Sequence, residues 1–396
     1  MTALSDRTIY AEMISGGYDR RNYLVHHGLM NSRFVRHAIA PDRVFGDGMG
    51  NVASVDELAN DNRFVIEPVP LPEQVHASVL ELRVGNEVFL MKGDFTSLHP
   101  SLIEEYADEK FVLKKKEAFI AEPGKVYMVK SLERLRLPKE YYGVSDARSG
   151  LARVGCGACA ATTKHGVLDG GVYTGEPEHV YMKIQPHAFP IVLRCGETRP
   201  MQVRFRENGS GPLSSGDIEH LYGKAFFLRE KDAEIPFHPG ALDENGLALR
   251  IDLKKGYYVQ RNVKKPVDFM LKDAYDWEEF FEFHENGDGV VLKPRKLYLF
   301  GSKEDVCLGK MVCGDLVRSP DALGHGISNN FARFFQPGFE GGITLEAWLY
   351  ADNAWMLFDE QYFGRVLLEL LDGKPLREYT GNFMHQRAPR LTGCFR

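Results

Sequence analysis

The strongest constraint on the fold of this chain is an internal repeat. The run FVLKKKEAFIAEPGKVYMVKSLERLRLPKEYYG at residues 111–143 corresponds to VVLKPRKLYLFGSKEDVCLGKMVCGD at residues 290–315. An Arg-Ser pair follows each run, Arg148-Ser149 in the first half and Arg318-Ser319 in the second. Because both copies carry the same order of apolar and turn residues, the repeat predicts two lobes of like fold.

Short β-favouring runs fill both copies of the repeat. Turn signals such as Val84-Gly85-Asn86 and Glu122-Pro123-Gly124 separate these runs. Each copy also holds a Gly-rich hairpin candidate, at 168–176 and at 335–348. Helical signals are few, and Ser5 can cap one short helix near the start. The pattern predicts a mainly β chain of two lobes with a few short helices.

A change in composition marks the boundary between the lobes. The run NGSGPLSSGD at residues 208–217 is rich in glycine and serine, as linkers are. We therefore predict four parts: an N-terminal helix and extension at 1–70, a first lobe at 71–207, a linker at 208–245, and a second lobe with a C-terminal tail at 246–396.

The charge and hydropathy patterns exclude several classes of protein. The chain has 49 Lys and Arg against 55 Asp and Glu, a formal net charge of −6, which is not the balance of a nucleic-acid-binding protein. No window approaches a membrane-spanning apolar length, and Asp6 and Arg7 interrupt the start where a secretory signal would be apolar. Six cysteines are too few for a disulfide scaffold. We expect a cytoplasmic protein with reduced thiols and with neither a nucleic-acid nor a membrane partner.

Two motifs resemble those of the dCTP deaminases, which belong to the trimeric dUTPase-like superfamily. The run DARSGLARVG at 146–155 resembles their phosphate-binding motif, and QPGFEGGITLEAW at 336–348 resembles their nucleoside-binding hairpin. LSDRTIYAEMISGG at 4–17 resembles the family's first helix, and QVHASVLELRVGNEV at 74–88 resembles its first strands. The resemblance implies a double-length member with two tandem dUTPase-like lobes, each a distorted β-barrel or jelly roll.

The resemblance also implies a reaction, the hydrolytic deamination of dCTP to dUTP and ammonia in pyrimidine deoxynucleotide biosynthesis. The family needs no zinc, and Mg²⁺ would enter bound to the triphosphate because no carboxylate cluster has the spacing of a metal site. The expected partner is the small molecule dCTP. A homo-oligomer is possible, and the sequence leaves the number of chains and of active sites open.

The two lobes depart from the family pattern in complementary ways. The first lobe keeps Arg148-Ser149 and Arg153, but Met182 or Lys183 falls where the resemblance implies a catalytic glutamate. The first lobe therefore carries the phosphate half of a site without the acid.

The second lobe has the opposite departure. It keeps Glu346, but Leu323 stands where the motif's second arginine belongs. In the family, the phosphate motif of one subunit meets the nucleoside hairpin of its neighbour. We therefore predict a composite site between the two lobes.

The resemblance assigns roles within this site. Arg148 and Ser149 would bind the triphosphate, whose charge calls for guanidinium and hydroxyl donors. Arg153 would hold the water and the cytosine near the carboxylate. Deamination needs a group that accepts and returns protons, and Glu346 is the candidate.

Further residues would bind the nucleoside. Phe339 would exclude a 2′-hydroxyl by its shape, and Gln336 would bond the 3′-hydroxyl where the family has an aspartate. Ala332 would read the base edge through its main chain. The C-terminal tail resembles the family's closing segment, and its candidate contacts are Tyr379, Gln386 and Arg387.

Alternative functions remain open at this point. Asp169 keeps open a dUTP pyrophosphatase or a bifunctional deaminase, whereas Gln336 cannot act as the base that a pyrophosphatase needs. A zinc deaminase would need His-x-Glu, which is absent, and Cys156-x-x-Cys159 is better explained as two packed thiols. A third alternative is a catalytically silent nucleotide-binding protein, which would not need Arg153 and Glu346 in one cleft.

Overall fold

The computed structural model describes residues 2–3, 65–68, 70–137, 139–162, 166–169, 177–243, 245–285, 287–318, 327–329, 331–373, 375 and 379–396. Several predicted features lie outside these residues, namely the helix after Ser5, the hairpin residues 170–176, Ser319 and Leu323.

Strands dominate both halves of the chain, as the sequence predicts. Those of the first half are β1 (Thr2–Ala3), β2 (Val65–Glu67), β3 (Leu80–Leu82), β4 (Val84–Met91), β5 (Ala107–Val112), β6 (Ala118–Ala121), β7 (Tyr127–Arg136), β8 (Tyr141–Ala147), β9 (Cys156–Ala160), β10 (Val167–Asp169), β11 (Glu178–Pro186), β12 (Ile191–Arg194) and β13 (Met201–Glu207).

Those of the second half are β14 (Phe226–Glu230), β15 (Ala233–Glu234), β16 (Leu242–Asp243), β17 (Gly246–Gln260), β18 (Phe281–His284), β19 (Gly289–Leu292), β20 (Leu297–Leu308), β21 (Val312–Arg318), β22 (Ile327–Asn329), β23 (Phe334–Phe335), β24 (Glu340–Leu349), β25 (Trp355–Phe358) and β26 (Tyr362–Leu371).

The helices of the described residues are short. They are α1 (Ile103–Tyr106), α2 (Ser149–Ala152), α3 (Ser215–Leu221) and α4 (Trp277–Phe280), with 3₁₀ turns at Pro72–Gln74, Pro100–Leu102 and Pro239–Ala241. Within this part of the chain, no helix has the length and apolar character needed to cross a membrane.

The repeat is visible in the strand pairing. In the first lobe β4 pairs with β7, β7 with β11, and β11 with β9. In the second lobe β17 pairs with β20, β20 with β24, and β24 with β22. The small sheet of β6 and β12 matches that of β19 and β25, and the pair β8–β13 matches β21–β26. The predicted fold of two like β lobes is confirmed.

The lobes share backbone and core. Strand β1 pairs antiparallel with β13 and parallel with β26, so it joins the two lobes in one sheet. The core of the first lobe also contains side chains from the second half of the chain: Phe280 and Phe281 pack edge-on against Phe189, with ring centroids 5.5 and 5.4 Å away. The lobes therefore pack as partners with a common interior.

The segment predicted as a linker contains regular structure. Ser214 caps α3, where its hydroxyl accepts from the Asp217 backbone N–H and the Asp217 carboxylate accepts from the Ser214 backbone N–H. Strand β14 then pairs with β20, which attaches residues 226–230 to the second lobe.

Candidate functional site

A cleft of 380 Å³ lies between the lobes, and we call it the inter-lobe cleft. The first lobe contributes α2 and the residues around it. The second lobe contributes the segment 331–339, strand β24 and the tail after residue 379. Nine of the ten sequence-predicted site residues line the cleft: Arg148, Ser149, Arg153, Ala332, Gln336, Phe339, Glu346, Tyr379 and Gln386.

The phosphate motif folds as one helical turn. Arg148 is the extended N-cap residue of α2, and Arg153 is its helical C-cap residue. Gly155 then turns the chain into β9 with a φ of +68°. A Cβ at this position would lie 2.5 Å from the Cβ of Ala188, so both the conformation and the space require glycine. The glycine therefore allows the chain to turn from α2 into β9.

Arg153 is buried beside the C-terminal tail. Its Nη1 donates to the Arg390 carbonyl at 2.7 Å and its Nη2 to Gln386 Oε1 at 3.3 Å. The guanidinium lies 3.5 Å from the centre of the Phe383 ring. Burial lowers the pKa of Arg153 to about 10, while Glu346 acts in the opposite direction. The arginine therefore keeps its charge at neutral pH.

Glu346 is 2% exposed, which excludes the ordinary explanation of a glutamate on the solvated face of a strand. The alternation along β24 sends Leu345 and Ala347 into the core of the second lobe, while Thr344 and Glu346 line the cleft. Glu346 Oε2 has no hydrogen-bond partner among the described residues, and neither does Arg153 Nε.

The environment of Glu346 favours its protonated form. Burial raises the pKa of Glu346 to about 8, against the opposing charge of Arg153 and a backbone hydrogen bond from Phe331. At neutral pH the Glu346 carboxyl is therefore mostly a neutral carboxylic acid. Such a group can donate a proton first and accept one afterwards.

This raised pKa has a consequence for stability. The unfolded carboxyl ionises near 4.5 and the folded one near 8, so the folded state loses stability as the pH rises between these values. Glu346→Gln removes that loss. We expect the thermal midpoint of the variant to exceed that of the wild type by several degrees at pH 9, and by much less at pH 5.

Calorimetry or a dye-based melt across this range measures the difference. Glu109→Gln, at an exposed position of β5, is the control for replacing a glutamate by glutamine outside the cleft. A difference between Glu346→Gln and the wild type that does not change with pH would contradict the raised pKa.

The segment 331–336 of the second lobe is held by the first lobe. The backbone N–H of Arg333 donates to Asp146 Oδ2 at 2.6 Å. Gln336 Oε1 accepts from both the N–H and the hydroxyl of Ser78 at 3.1 Å. These bonds fix Ala332, which lies between Phe331 and Arg333, at the wall of the cleft.

Phe339 serves both the core and the cleft. It is 5% exposed and belongs to the core of the second lobe. Its ring lies 5.4 Å from that of Phe335 and 5.9 Å from that of Tyr379. One aromatic cluster therefore connects the hairpin, the core and the tail.

The tail lies against the hairpin. Gln386 Nε2 donates to the Gly342 carbonyl at 2.6 Å and to Thr344 Oγ1 at 3.2 Å. A Cβ at Gly341 would lie 3.0 Å from the Gln386 backbone nitrogen, so the glycine allows this close approach. Gln386 thus joins Arg153 of the first lobe to the hairpin of the second.

Arg387 is the one predicted residue that the structure does not bring to the cleft. Its guanidinium pairs with Asp232 at 2.7 Å and with Asp305. It lines a separate cavity of 290 Å³ on the second lobe. The neighbouring Gln386 faces the cleft, so the chain direction at this point separates two adjacent tail residues.

Sequence reasoning missed a carboxylate beside Arg148 in the cleft wall. Glu81 Oε1 lies 2.6 Å from Arg148 Nε and 3.1 Å from His76 Nε2, and its Oε2 lies 3.3 Å from Arg199 Nε. Burial acts to raise the pKa of Glu81, but Arg148, with His76 and Arg199, outweighs it and the pKa is lowered. Glu81 lies within the run 74–88, which the motif resemblance marked only as strands.

In the first lobe, strand β11 takes the place that β24 has in the second lobe. The face of β11 that corresponds to the cleft-lining face of β24 is covered by side chains of the first lobe itself. Lys183, at the position corresponding to Glu346, donates to the Phe95 carbonyl at 2.7 Å and pairs with Asp94. Met182 is fully buried in the core.

The two cysteines of the Cys-x-x-Cys run lie on β9. Cys156 is buried, and burial raises the pKa of both thiols. Across the part of the chain that the structure describes, no group of three or more His, Cys, Asp or Glu side chains has the arrangement of a metal site.

Comparison with known proteins identifies the relatives of this chain. The family described as dCTP deaminase-like matches residues 51–208 and, a second time, residues 213–369. A dCTP deaminase of Pseudoalteromonas translucida is 32% identical over 111 residues, and one of Buchnera aphidicola is 29% identical over 104 residues. These alignments cover 26% and 24% of this chain, and 57% and 54% of the relatives. The chain thus spans little more than half the length of the curated relatives that it matches.

A solved structure matches over a longer range. The 2′-deoxycytidine 5′-triphosphate deaminase of Agrobacterium tumefaciens superposes with a TM-score of 0.67 and 23% identity, covering 79% of this chain and 94% of that one. Neither lobe alone makes up 79% of the chain, so the match spans both. The two proteins share their fold.

Proposed function

The chain belongs to the dCTP deaminase-like family, and from this premise we propose that it converts dCTP and water to dUTP and ammonia in the inter-lobe cleft. The observation that carries the proposal is that Arg153 of the first lobe and Glu346 of the second line the same cleft. Both are buried, and each has one buried polar atom without a partner among the described residues. The lobes supply complementary halves of one site.

Glu346 performs the proton transfers in this proposal. Its protonated carboxyl donates to N3 of the cytosine, and the resulting carboxylate is stabilised by the charge of Arg153. The carboxylate takes a proton from water as the water oxygen bonds to C4. That proton passes to the amino group, which leaves as ammonia, and the hydroxyl proton on C4 returns to the carboxylate. The product has a carbonyl at C4, and Glu346 is again protonated.

The rest of the cleft would bind the nucleotide. Arg148 and Ser149 would contact the triphosphate, and Arg148 and Arg199, which both pair with Glu81, would offset the negative charge of the triphosphate. Gln336 and Phe339 would contact the deoxyribose. The base edge would meet the main chain at Ala332, with Tyr379 and Gln386 of the tail close by.

Metal ions have a limited part in this proposal. Mg²⁺ would be carried by the triphosphate oxygens, and Glu73 is an exposed carboxylate at the cleft wall that could meet it through water. Each proton transfer uses Glu346, so the reaction as proposed uses no zinc.

Product analysis tests this function. The purified protein is treated with chelator, supplied with Mg²⁺ and incubated separately with dCTP, dUTP and CTP, and the nucleotides are separated by ion exchange. We expect dUTP and an equal amount of ammonia from dCTP, little product from CTP, and no change in dUTP.

Three other results would identify the alternatives. Formation of dUMP would indicate the bifunctional enzyme, and conversion of dUTP alone would indicate a pyrophosphatase. Binding of dCTP without turnover of any substrate would indicate a nucleotide-binding protein and overturn the proposed function.

A further inference from the structure

We propose that Asp146 is a positioning residue for this reaction, holding the base-binding segment of the second lobe in register with the phosphate motif of the first. The inference rests on the proposed function of the cleft. Asp146 itself is not among the residues that line the cleft. It would act through the backbone of the partner lobe.

The contact joins the two halves of the site directly. Asp146 lies near the end of β8, two residues before Arg148. Its Oδ2 accepts from the Arg333 backbone N–H at 2.6 Å and lies 3.6 Å from Arg333 Nε. Ala332, the preceding residue, lines the cleft. One carboxylate of the first lobe therefore fixes the main chain that would read the base.

The same segment also contacts Glu346, the residue that is proposed to transfer protons. A backbone hydrogen bond from Phe331 acts on the Glu346 carboxylate and favours its charged form. A shift at Arg333 would move Phe331 and Ala332 together, because they are consecutive residues. Loss of the Asp146 contact would therefore misplace the base and weaken a bond to Glu346 in one step.

Asp146 also affects Glu346 through its charge. The groups that act on the Glu346 carboxyl are Arg153, Asp146 and the Phe331 backbone. Burial raises the pKa of Asp146 to about 7, helped by the charge of Asp315 and opposed by Arg333 and the Ala147 backbone, and the charge of Asp146 in turn reaches Arg318 and Cys159. Above about pH 7 Asp146 is mostly ionised, and its negative charge opposes ionisation of Glu346, so an uncharged side chain at 146 would lower the pKa of Glu346.

Two substitutions separate position from charge. Asp146→Asn keeps an oxygen acceptor for the Arg333 N–H and removes the charge. We expect the alkaline limb of its pH profile of kcat to move to lower pH by about half a pH unit. Asp146→Glu keeps the charge and displaces the oxygen, so we expect kcat to fall about tenfold or more with the limb unmoved.

In both variants, the affinity for inorganic tripolyphosphate should stay within about threefold of the wild type, because Arg148 and Ser149 are unchanged. The control is Asp359→Asn, since Asp359 also accepts a backbone N–H, from Leu253 at 2.8 Å, and pairs with Lys254 outside the cleft. Asp359→Asn should change neither kcat nor the alkaline limb of the pH profile of kcat.

Hydrogen exchange tests the contact without turnover. The Arg333 amide should be protected in the wild type and should lose about tenfold of that protection in Asp146→Ala. Equal protection in both proteins would overturn the inference, as would a wild-type kcat in Asp146→Glu together with an unmoved limb in Asp146→Asn. A wild type that does not turn over dCTP, but loses Arg333 protection in Asp146→Ala, would refute the proposed function and leave the positioning contact established.

Discussion

Glu346→Gln is expected to lower the rate of dCTP deamination by about a thousandfold, because it removes the only group assigned to carry protons and changes little volume. The substitution replaces a neutral carboxylic acid with a neutral amide, since the pKa of Glu346 is raised to about 8. The cleft should therefore keep its shape. We expect the dissociation constant for dCTP to stay within about threefold of the wild type.

Single-turnover deamination and equilibrium binding of dCTP measure the two effects separately. The matched control is Glu304→Gln, because Glu304 is also a buried glutamate of the second lobe but pairs with Arg250 outside the cleft. The control should retain most of its activity. A Glu346→Gln enzyme with more than a tenth of the wild-type rate would remove Glu346 from the mechanism.

The internal repeat predicts the fold because the same alternation of buried and exposed residues occurs twice in the chain. Alternating residues along each run face one core, and the pairing of β20 with β24 repeats that of β7 with β11. The positions of the candidate site residues are predictable for a different reason. Arg153 and Glu346 each belong to a motif of consecutive residues, so their local structure is contained in the sequence around them.

Contacts between the lobes are not predictable in this way. Asp146 and Arg333 are 187 residues apart, and no pattern in either run marks one as the partner of the other. Glu81 is equally inconspicuous on its strand, and only the folded chain surrounds it with Arg148 and Arg199. The packing of Phe280 into the first lobe is a further contact of this kind.

The C-terminal tail shows that a sequence motif does not determine the direction of each side chain. Gln386 and Arg387 are adjacent in sequence, and the motif resemblance makes both candidate contacts of the nucleotide. The backbone at His385 has a positive φ of 54°, and Gln386 then bonds to Gly342 while Arg387 turns to Asp305. A sequence match gives the order of residues, whereas the direction of each side chain depends on such local turns.

The second large effect is expected at Arg204, which belongs to a buried ion cluster between the lobes. Arg204 is fully buried and pairs with Asp315, and it donates to the Phe335 carbonyl at 2.9 Å. Arg206 pairs with Asp315 and with Glu369, both at 2.6 Å. Two arginines thus pair with two carboxylates, and all four side chains are buried.

Arg204→Met leaves two buried carboxylates with one arginine. Breaking one side of a buried ion pair costs about 3–5 kcal/mol, and we expect a loss of this size in the free energy of unfolding. Urea unfolding, followed by the fluorescence of the three tryptophans, measures it. The exposed Arg134, which pairs with Glu67, gives the control: Arg134→Met should cost less than about 1 kcal/mol.

The double variant Arg204→Met, Asp315→Asn tests the charge argument itself. It leaves Arg206 paired with Glu369, so the cluster is neutral again. We expect the double variant to be more stable than the sum of its two single variants predicts, by about 1–3 kcal/mol. Additive losses would mean that Arg204 stabilises the interface through packing on Phe334, whose ring centre lies 4.4 Å from the guanidinium, and not through its charge.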